Sequence, residues 1–360
     1  MSRAYLDWNA TAPLRPEARA AMLDALDVAG NPSSVHAEGR AAKALMERCR
    51  AEIAEAFGAA SADIVFTSGA TEAAALALHG RRLLAAGVEH DCVFDWTGGT
   101  GGLETERDGR VTLSPAPDGD MVAVQAANSE TGIRQDVAAA AGAVELPLLT
   151  DAVQAFGKVP FGFDWSGADL AMVSAHKIGG PRGVGALVVR QGAAVDALLR
   201  GGGQEMSRRA GTENLAGIAG FAAAARAGQL DLERGEWDRV AQLRIVLESL
   251  LEAGDHPTIS VGKTAERLPN TLCVIAPGWK GETQVMRMDL EGFAISAGSA
   301  CSSGKVRSSR VLRAMGYGDG EADCAVRVSL GPATTEREVR GFADAWRRAR
   351  DKAMARQRAG

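Results

Sequence analysis

Lys177 closes the run Asp-Leu-Ala-Met-Val-Ser-Ala-His-Lys, in which a short apolar stretch gives way to reactive side chains ahead of a Gly-Gly-Pro-Arg-Gly turn. An amine at the end of a strand can condense with the aldehyde of a cofactor. A carboxylate opposite a basic ring nitrogen keeps that ring protonated and electron-withdrawing, and amine and carboxylate together are what a pyridoxal phosphate enzyme needs. Asp151 supplies the carboxylate 26 positions upstream (177 − 151), at the end of the strand-like Leu146-Pro147-Leu148-Leu149-Thr150. The chain has only seven lysines, and Lys177 alone directly follows a buried-looking strand with a His beside it.

A phosphate needs unpaired N–H groups. The stretch from Asp63 to Glu72 reads as a strand, a turn at Gly69 and a helix start, so the amides of Ala70 and Thr71 fall where a helix N-terminus stabilises an anion. A Thr in a first helical turn is also an ordinary cap; its company with Asp151 and Lys177 favours the anion site. Other polar groups fall at expected strand ends, where ligands of open α/β sheets collect. Ser174 and His176 flank the lysine, Gln154 follows Asp151 by three residues, and Asn128 sits in Ala-Ala-Asn-Ser-Glu-Thr-Gly.

Cys301 is a second reactive centre. Free cysteines usually pack in cores, but this one lies in Ala-Ile-Ser-Ala-Gly-Ser-Ala-Cys-Ser-Ser-Gly, a Ser/Gly-rich loop that offers a thiol no packing. Cys273, in Leu-Cys-Val-Ile, has the opposite setting.

These residues need a scaffold. Helix patterns at Pro16–Leu26, Ala37–Phe57 and Glu72–His79 alternate with apolar strands at Ile64–Thr67, Met121–Ala126, Leu146–Asp151, Leu170–Ser174 and Gly185–Val189. That alternation predicts a mainly parallel sheet covered by helices. Beyond Leu230 the texture changes to a charged helix, Trp237–Glu252, strands near Ile259–Val261, Asn270–Ala276 and Val326–Leu330, and a last helix. The expected division is a large cofactor-binding domain over 16–229 and a smaller α+β domain from 1–15 and 230–360. At 360 residues, 46% hydrophobic with 43 glycines, the chain suits such a two-lobed α/β enzyme.

A net charge of −5 argues against nucleic acid as a partner, and Trp346–Arg358 reads as a solvated helix face. No stretch approaches the length of a membrane span, and the first residues lack the apolar core of a signal peptide. Five scattered cysteines without a Cys-x-x-Cys pair indicate neither a metal site nor a disulfide framework. A reducing cytoplasm is the expected home.

Taken in order, several stretches resemble the cysteine desulfurases of the class V aminotransferase family: Tyr5–Pro13, Gly30–Ser34, Ser68–Glu72, Asn128–Gly132, Asp151–Gln154, Ser174–Gly179, Gly201–Thr212 and Ser299–Ser302. The resemblance implies the type I fold of pyridoxal phosphate enzymes, with a seven-stranded sheet in the large domain. It implies conversion of cysteine to alanine, with the sulfur carried as a persulfide on Cys301 to an acceptor protein for iron–sulfur cluster or other cofactor assembly. Lys177 would hold the cofactor and move protons, Asp151 would face the ring nitrogen, and His90 would stack on the ring as acid or base. Ala70, Thr71, Asn128, Gln154, Ser174 and His176 would complete the cofactor site. Asn31, Asn128 and Arg327 would grip the substrate, Arg327 as a bidentate fork. Thr212 would reach the phosphate of the other subunit in a homodimer.

The chain departs from the family between Glu72 and Asn128, which is short. The helix after His90 is expected to be replaced by the glycines of Thr97–Gly102. The Glu89-His90 pair anchors His90 in the ring-stacking role, whereas a gap-free count from Glu72 would place Gly99 there. Arg208 has no assigned role. Rival readings are selenocysteine lysis or transamination on the same fold, and a non-catalytic sulfur-assembly partner. Which acceptor takes the sulfur stays open.

Overall fold

Apolar runs of the N-terminal two thirds become strands covered on both faces, as parallel sheets require. Every residue of Leu148–Asp151 and Leu170–Ser174 is buried. The computed structural model describes residues 3–113, 118–298 and 308–359, with side chains to Arg356. Its large sheet has the strand order Ala62–Thr67, Gly185–Arg190, Leu170–Ser174, Leu148–Asp151, Met121–Ala123, Leu83–Ala86, Gly102–Thr105 and Val111–Thr112. From Leu170–Ser174 to Gly102–Thr105 all neighbours pair in parallel. Gly185–Arg190 runs against both of its neighbours. The strand beyond the expected seven is the two-residue arm Val111–Thr112, which pairs antiparallel with Gly102–Thr105.

Some helices begin where a side chain satisfies a free amide, others at a proline or a glycine. Pro16 opens Pro16–Leu26, Asp136 accepts from the Ala139 amide at 2.9 Å, and Asn214 accepts from the Gly217 amide at 3.0 Å. Helix Leu215–Glu233 runs past residue 229, and Gly235, at φ 70°, turns the chain into Glu236–Glu252. The glycine-rich segment does not replace all helix after His90. One short turn, Asp91–Phe94, remains, with the His90 side chain accepting from the Cys92 amide at its start.

The second lobe holds an antiparallel sheet ordered Ile259–Ser260, Thr271–Ile275, Ala325–Ser329, Ser296–Ala297. Its core joins Leu6 of the N-terminal segment to Trp237, Leu247, Phe342 and Trp346. That N-terminal segment then runs back to the large sheet, where the Ala12 amide donates to the His176 carbonyl at 2.9 Å. It is the thread that ties the lobes together at Lys177.

Candidate active site

Sheet register sets the site. Thr67 and Ser174 both pair with Gly185, so the ends of their strands lie side by side. Gly69 packs on Gly185 so closely that a Cβ on Gly185 would stand 2.8 Å from the Gly69 Cα. Gly69 has φ 156° and ψ −179°, a conformation open to glycine, and caps the helix Ala70–Leu78. Asp151 ends the next strand but one from Gly185–Arg190. These strand ends and the N-terminal segment enclose a cavity of about 650 Å³.

At one end of the cavity stand Ala70, Thr71 and Ser174. A Cβ built on Gly69 would meet only the Ser174 Oγ, at 4.0 Å, so space is open beside the first-turn amides. At the other end stands Asp151, whose Oδ1 accepts from the Val153 amide at 2.9 Å. Burial raises its pKa, against the pull of His90, the Val153 amide and Lys177. Lys177 leaves its strand through the short turn Ala175–Lys177, and its Nζ donates to the carbonyls of Asn9 at 2.7 Å and Ala10 at 2.9 Å. An anion socket, a buried acid and an amine therefore line one cavity. The set suits an anionic ligand that carries an aldehyde and a basic ring nitrogen.

His90 also lines the cavity and Gly99 does not. The His90 Nδ1 lies 3.1 Å from the Cys92 Sγ. Gln154 is present too, donating from Nε2 to the Asn9 carbonyl at 3.0 Å. His176 lines the wall with its Nδ1 3.2 Å from the Thr11 Oγ1. Burial, with Lys177, Arg182 and Lys158 close by, pulls His176 down to about 4, so at neutral pH it is an uncharged contact. Arg327 reaches in from the small lobe, but its terminal nitrogens are engaged: one donates to the Asp7 carboxylate at 2.7 Å, the other to the Ser129 carbonyl at 3.1 Å. Asp7 and Ser129 each take one bond from the fork expected for a substrate, and its Nε has no partner among the described residues.

Three expected residues lie elsewhere. Asn128 does not line the cavity: its Oδ1 accepts from the Glu130 and Thr131 amides and the Thr131 hydroxyl, and its Nδ2 donates to the Val88 carbonyl and Gln125 Oε1. With its oxygen engaged by its own turn and its amide nitrogen by Val88 and Gln125, it is built to shape that turn. Asn31 is exposed, its Oδ1 accepting from the Ser33 amide at 2.8 Å. Thr212 is exposed and lines a separate small pocket with Ser68 and Arg209. Cys301 lies outside the described residues.

Other positions gain roles that sequence patterns do not display. Arg208 pairs with Asp63 at 2.7 Å. Arg209 pairs with Glu72, which also accepts from the Ser68 amide, bracing the anion turn. Burial alone would raise Glu72; Arg209 and Ser68 hold it below the usual range. Asn9, 1% exposed, joins both lobes, and Lys158, 2% exposed, lies beneath Gln154. Asn9 stands in a stretch that carried the family resemblance, and Lys158 is one of few lysines, yet nothing local marks either as buried.

The aminotransferase class-V family profile matches residues 4–94 and 100–342. The chain is 39% identical to a cysteine desulfurase of Frankia sp. (strain EuIK1), over 94% of this chain and 89% of that one. Its fold is similar to the X-ray structure of a NifS-like protein from Rickettsia africae, with TM-score 0.87 and 29% identity over 97% and 99% of the two chains. It is also similar to SspA in complex with cysteine, with TM-score 0.76 and 27% identity over 92% and 100%.

Proposed function

The chain belongs to the class-V aminotransferase family, among its cysteine desulfurases, and we propose that it converts L-cysteine to L-alanine and passes the sulfur to an acceptor through Cys301. The observation that carries this reading is the convergence of Lys177, Asp151 and the Ala70–Leu78 helix N-terminus on one cavity. Pyridoxal 5′-phosphate is the ligand whose groups match that set, and when bound it supplies an electron sink next to the substrate Cα.

Lys177 is the group to hold the cofactor and, once the substrate amine displaces it, to move a proton at the substrate Cα. Asp151 steadies a protonated ring nitrogen, and the ion pair so formed offsets the cost of burying its charge. The Ala70 and Thr71 amides, with the Ser174 hydroxyl, take the phosphate. Gln154 would face the ring hydroxyl and His90 the ring, where it would exchange protons with the substrate. Arg327 receives the substrate carboxylate when Asp7 gives way. The Cys301 sulfur attacks the substrate sulfur. The substrate Cβ–S bond breaks, an S–S bond forms, and the proton from the Cys301 thiol balances the one that completes the alanine methyl group.

Thr212, outside the cavity and exposed, is read as serving the site of a second copy in a homodimer. The acceptor is read as a protein of iron–sulfur or other sulfur-cofactor assembly, in the cytoplasm; among the described residues no helix is long and apolar enough to cross a membrane.

The test is direct. The purified protein given L-cysteine and a thiol reductant should release alanine and sulfide in equal amounts. Cys301→Ser should bind cofactor and substrate but lose persulfide and nearly all sulfide, because a hydroxyl is a poor nucleophile toward sulfur. Alanine formation that survives the substitution would favour the selenocysteine-lyase rival, and no cofactor absorbance at all would favour the non-catalytic one.

A further inference from the structure

Lys158 is a second buried lysine beside the cavity, and the reaction as derived gives it no role. It is 2% exposed, one helical turn past Gln154. Its Nζ donates to Gln154 Oε1 at 2.5 Å and Asn9 Oδ1 at 3.3 Å, both amide oxygens. Asn9 is a hub: its carbonyl accepts from Gln154 Nε2 and Lys177 Nζ, its Oδ1 also accepts from Asn270, and its Nδ2 donates to Thr271 Oγ1 at 2.8 Å and the Ser129 carbonyl at 3.1 Å. Lys158 thus grips the far side of the two residues, Gln154 and Asn9, that meet the cavity ligands.

We propose that Lys158 is a positioning residue for the desulfurase reaction, fixing the Gln154 amide and, through Asn9, the resting place of the Lys177 amine. The proposal rests on the desulfurase reading. Gln154 has its Oε1 held by Lys158 and one Nε2 proton held by the Asn9 carbonyl. The amide plane is therefore set, and the remaining Nε2 proton is the one available to a ligand. Without the Lys158 donor, the Gln154 oxygen would be left buried without its partner, Asn9 Oδ1 would keep only Asn270, and Gln154 would be free to turn.

The chemistry also explains why an amine suits the position. Among the described residues no carboxylate acts on Lys158; the charged groups near it are Lys177 and Arg327, with His176 beside them. Burial and those two cations hold its amine well below the usual lysine range. When uncharged, such an amine still donates two hydrogen bonds, yet it adds no positive charge beneath Lys177.

Two substitutions in the full cofactor-loaded chain separate positioning from packing. Lys158→Met keeps the volume and loses the donor; Lys158→Gln keeps a neutral donor. The expected result is that Met lowers kcat roughly tenfold, about one buried hydrogen bond, with KM for cysteine little changed, and that Gln recovers most of the loss. A Met variant as active as the parent, or more active than Gln, would make Lys158 a packing residue and overturn the proposal.

The second readout does not use activity. With seven lysines labelled with carbon-13 at Cε, the Lys158 signal, assigned by its loss in either variant, should hold the neutral-amine position across the neutral pH range. A signal at the ammonium position would overturn the uncharged role whatever the activities of the two variants. Alanine and sulfide release by the parent tests the desulfurase reading separately, so failure of one leaves the other standing.

Discussion

Two neighbouring parallel strands of the large sheet, Met121–Ala123 and Leu148–Asp151, each lead into a turn rich in polar side chains, and the two turns use those side chains in opposite ways. After the first, Asn128 engages all its polar atoms with its own turn and the adjacent Val88 and Gln125. After the second, Asp151 gives one oxygen to the Val153 amide and keeps the other side for the cavity. Gln154, held by Lys158 and Asn9, keeps one Nε2 proton free of them, and both residues line the cavity. An amide whose valences are filled by backbone shapes the protein; a polar group held on one side only is aimed at something else.

The largest expected effect is on the open side. Lys177→Ala should lower activity on the order of 10⁴-fold or more, the scale of a lost proton-transferring group, while the melting temperature stays close to that of the parent. Asp151→Asn should cost roughly 10²–10³-fold by removing the charge opposite the ring, again with the fold intact. A large loss of stability in either variant would mean that this turn is structural as well.

Asn128→Ala should behave in reverse. Removing its Oδ1 strands the Glu130 and Thr131 amides in a buried turn, so unfolding free energy should fall by about 2–4 kcal/mol. Specific activity per folded molecule should fall much less than in Asp151→Asn. Urea titration with a parallel rate assay checks both; an Asn128 variant of full stability but poor activity would return this residue to the ligand.

The smallest effect is a pH dependence at the seam between the turns. Glu89 is 1% exposed, its Oε1 accepting from the Gln125 amide and its Oε2 without a partner among the described residues. Burial and the nearby Asp151 push it up to about 8 from an ordinary 4.5, against the Gln125 amide, Arg310 and His90. The folded chain therefore holds a proton that the unfolded chain releases. This contribution to stability is full below the ordinary value and is lost as pH rises through the raised one. In Glu89→Gln the melting temperature should decline less between pH about 5 and 8 than in the parent. Identical slopes would place the titration elsewhere.

What the sequence displays is residue type at a strand end. Lys177, Asp151 and the Gly69 turn are legible because each combines a reactive group with a local pattern that places it. Strand Leu170–Ser174 and helix Pro16–Leu26 carry the boundaries their patterns imply. Asn128 misleads because local pattern shows an amide after a strand and not which of its atoms are already engaged. The Asp7–Arg327 pair spans 320 positions and the Asn9 hub also joins segments up to 320 apart, so both exist only after the lobes meet. Lys158 is hidden for the same reason: its burial is made by the N-terminal segment folding over Gln154.

The two lysines at the cavity give the most direct test of the account. Borohydride reduction of the cofactor-loaded protein, followed by peptide mass spectrometry, should find the pyridoxyl group on Lys177 alone, with Lys158 unmodified. A reduced adduct on Lys158, or on any lysine other than Lys177, would contradict the assignment of the open strand end as the place where the chemistry occurs.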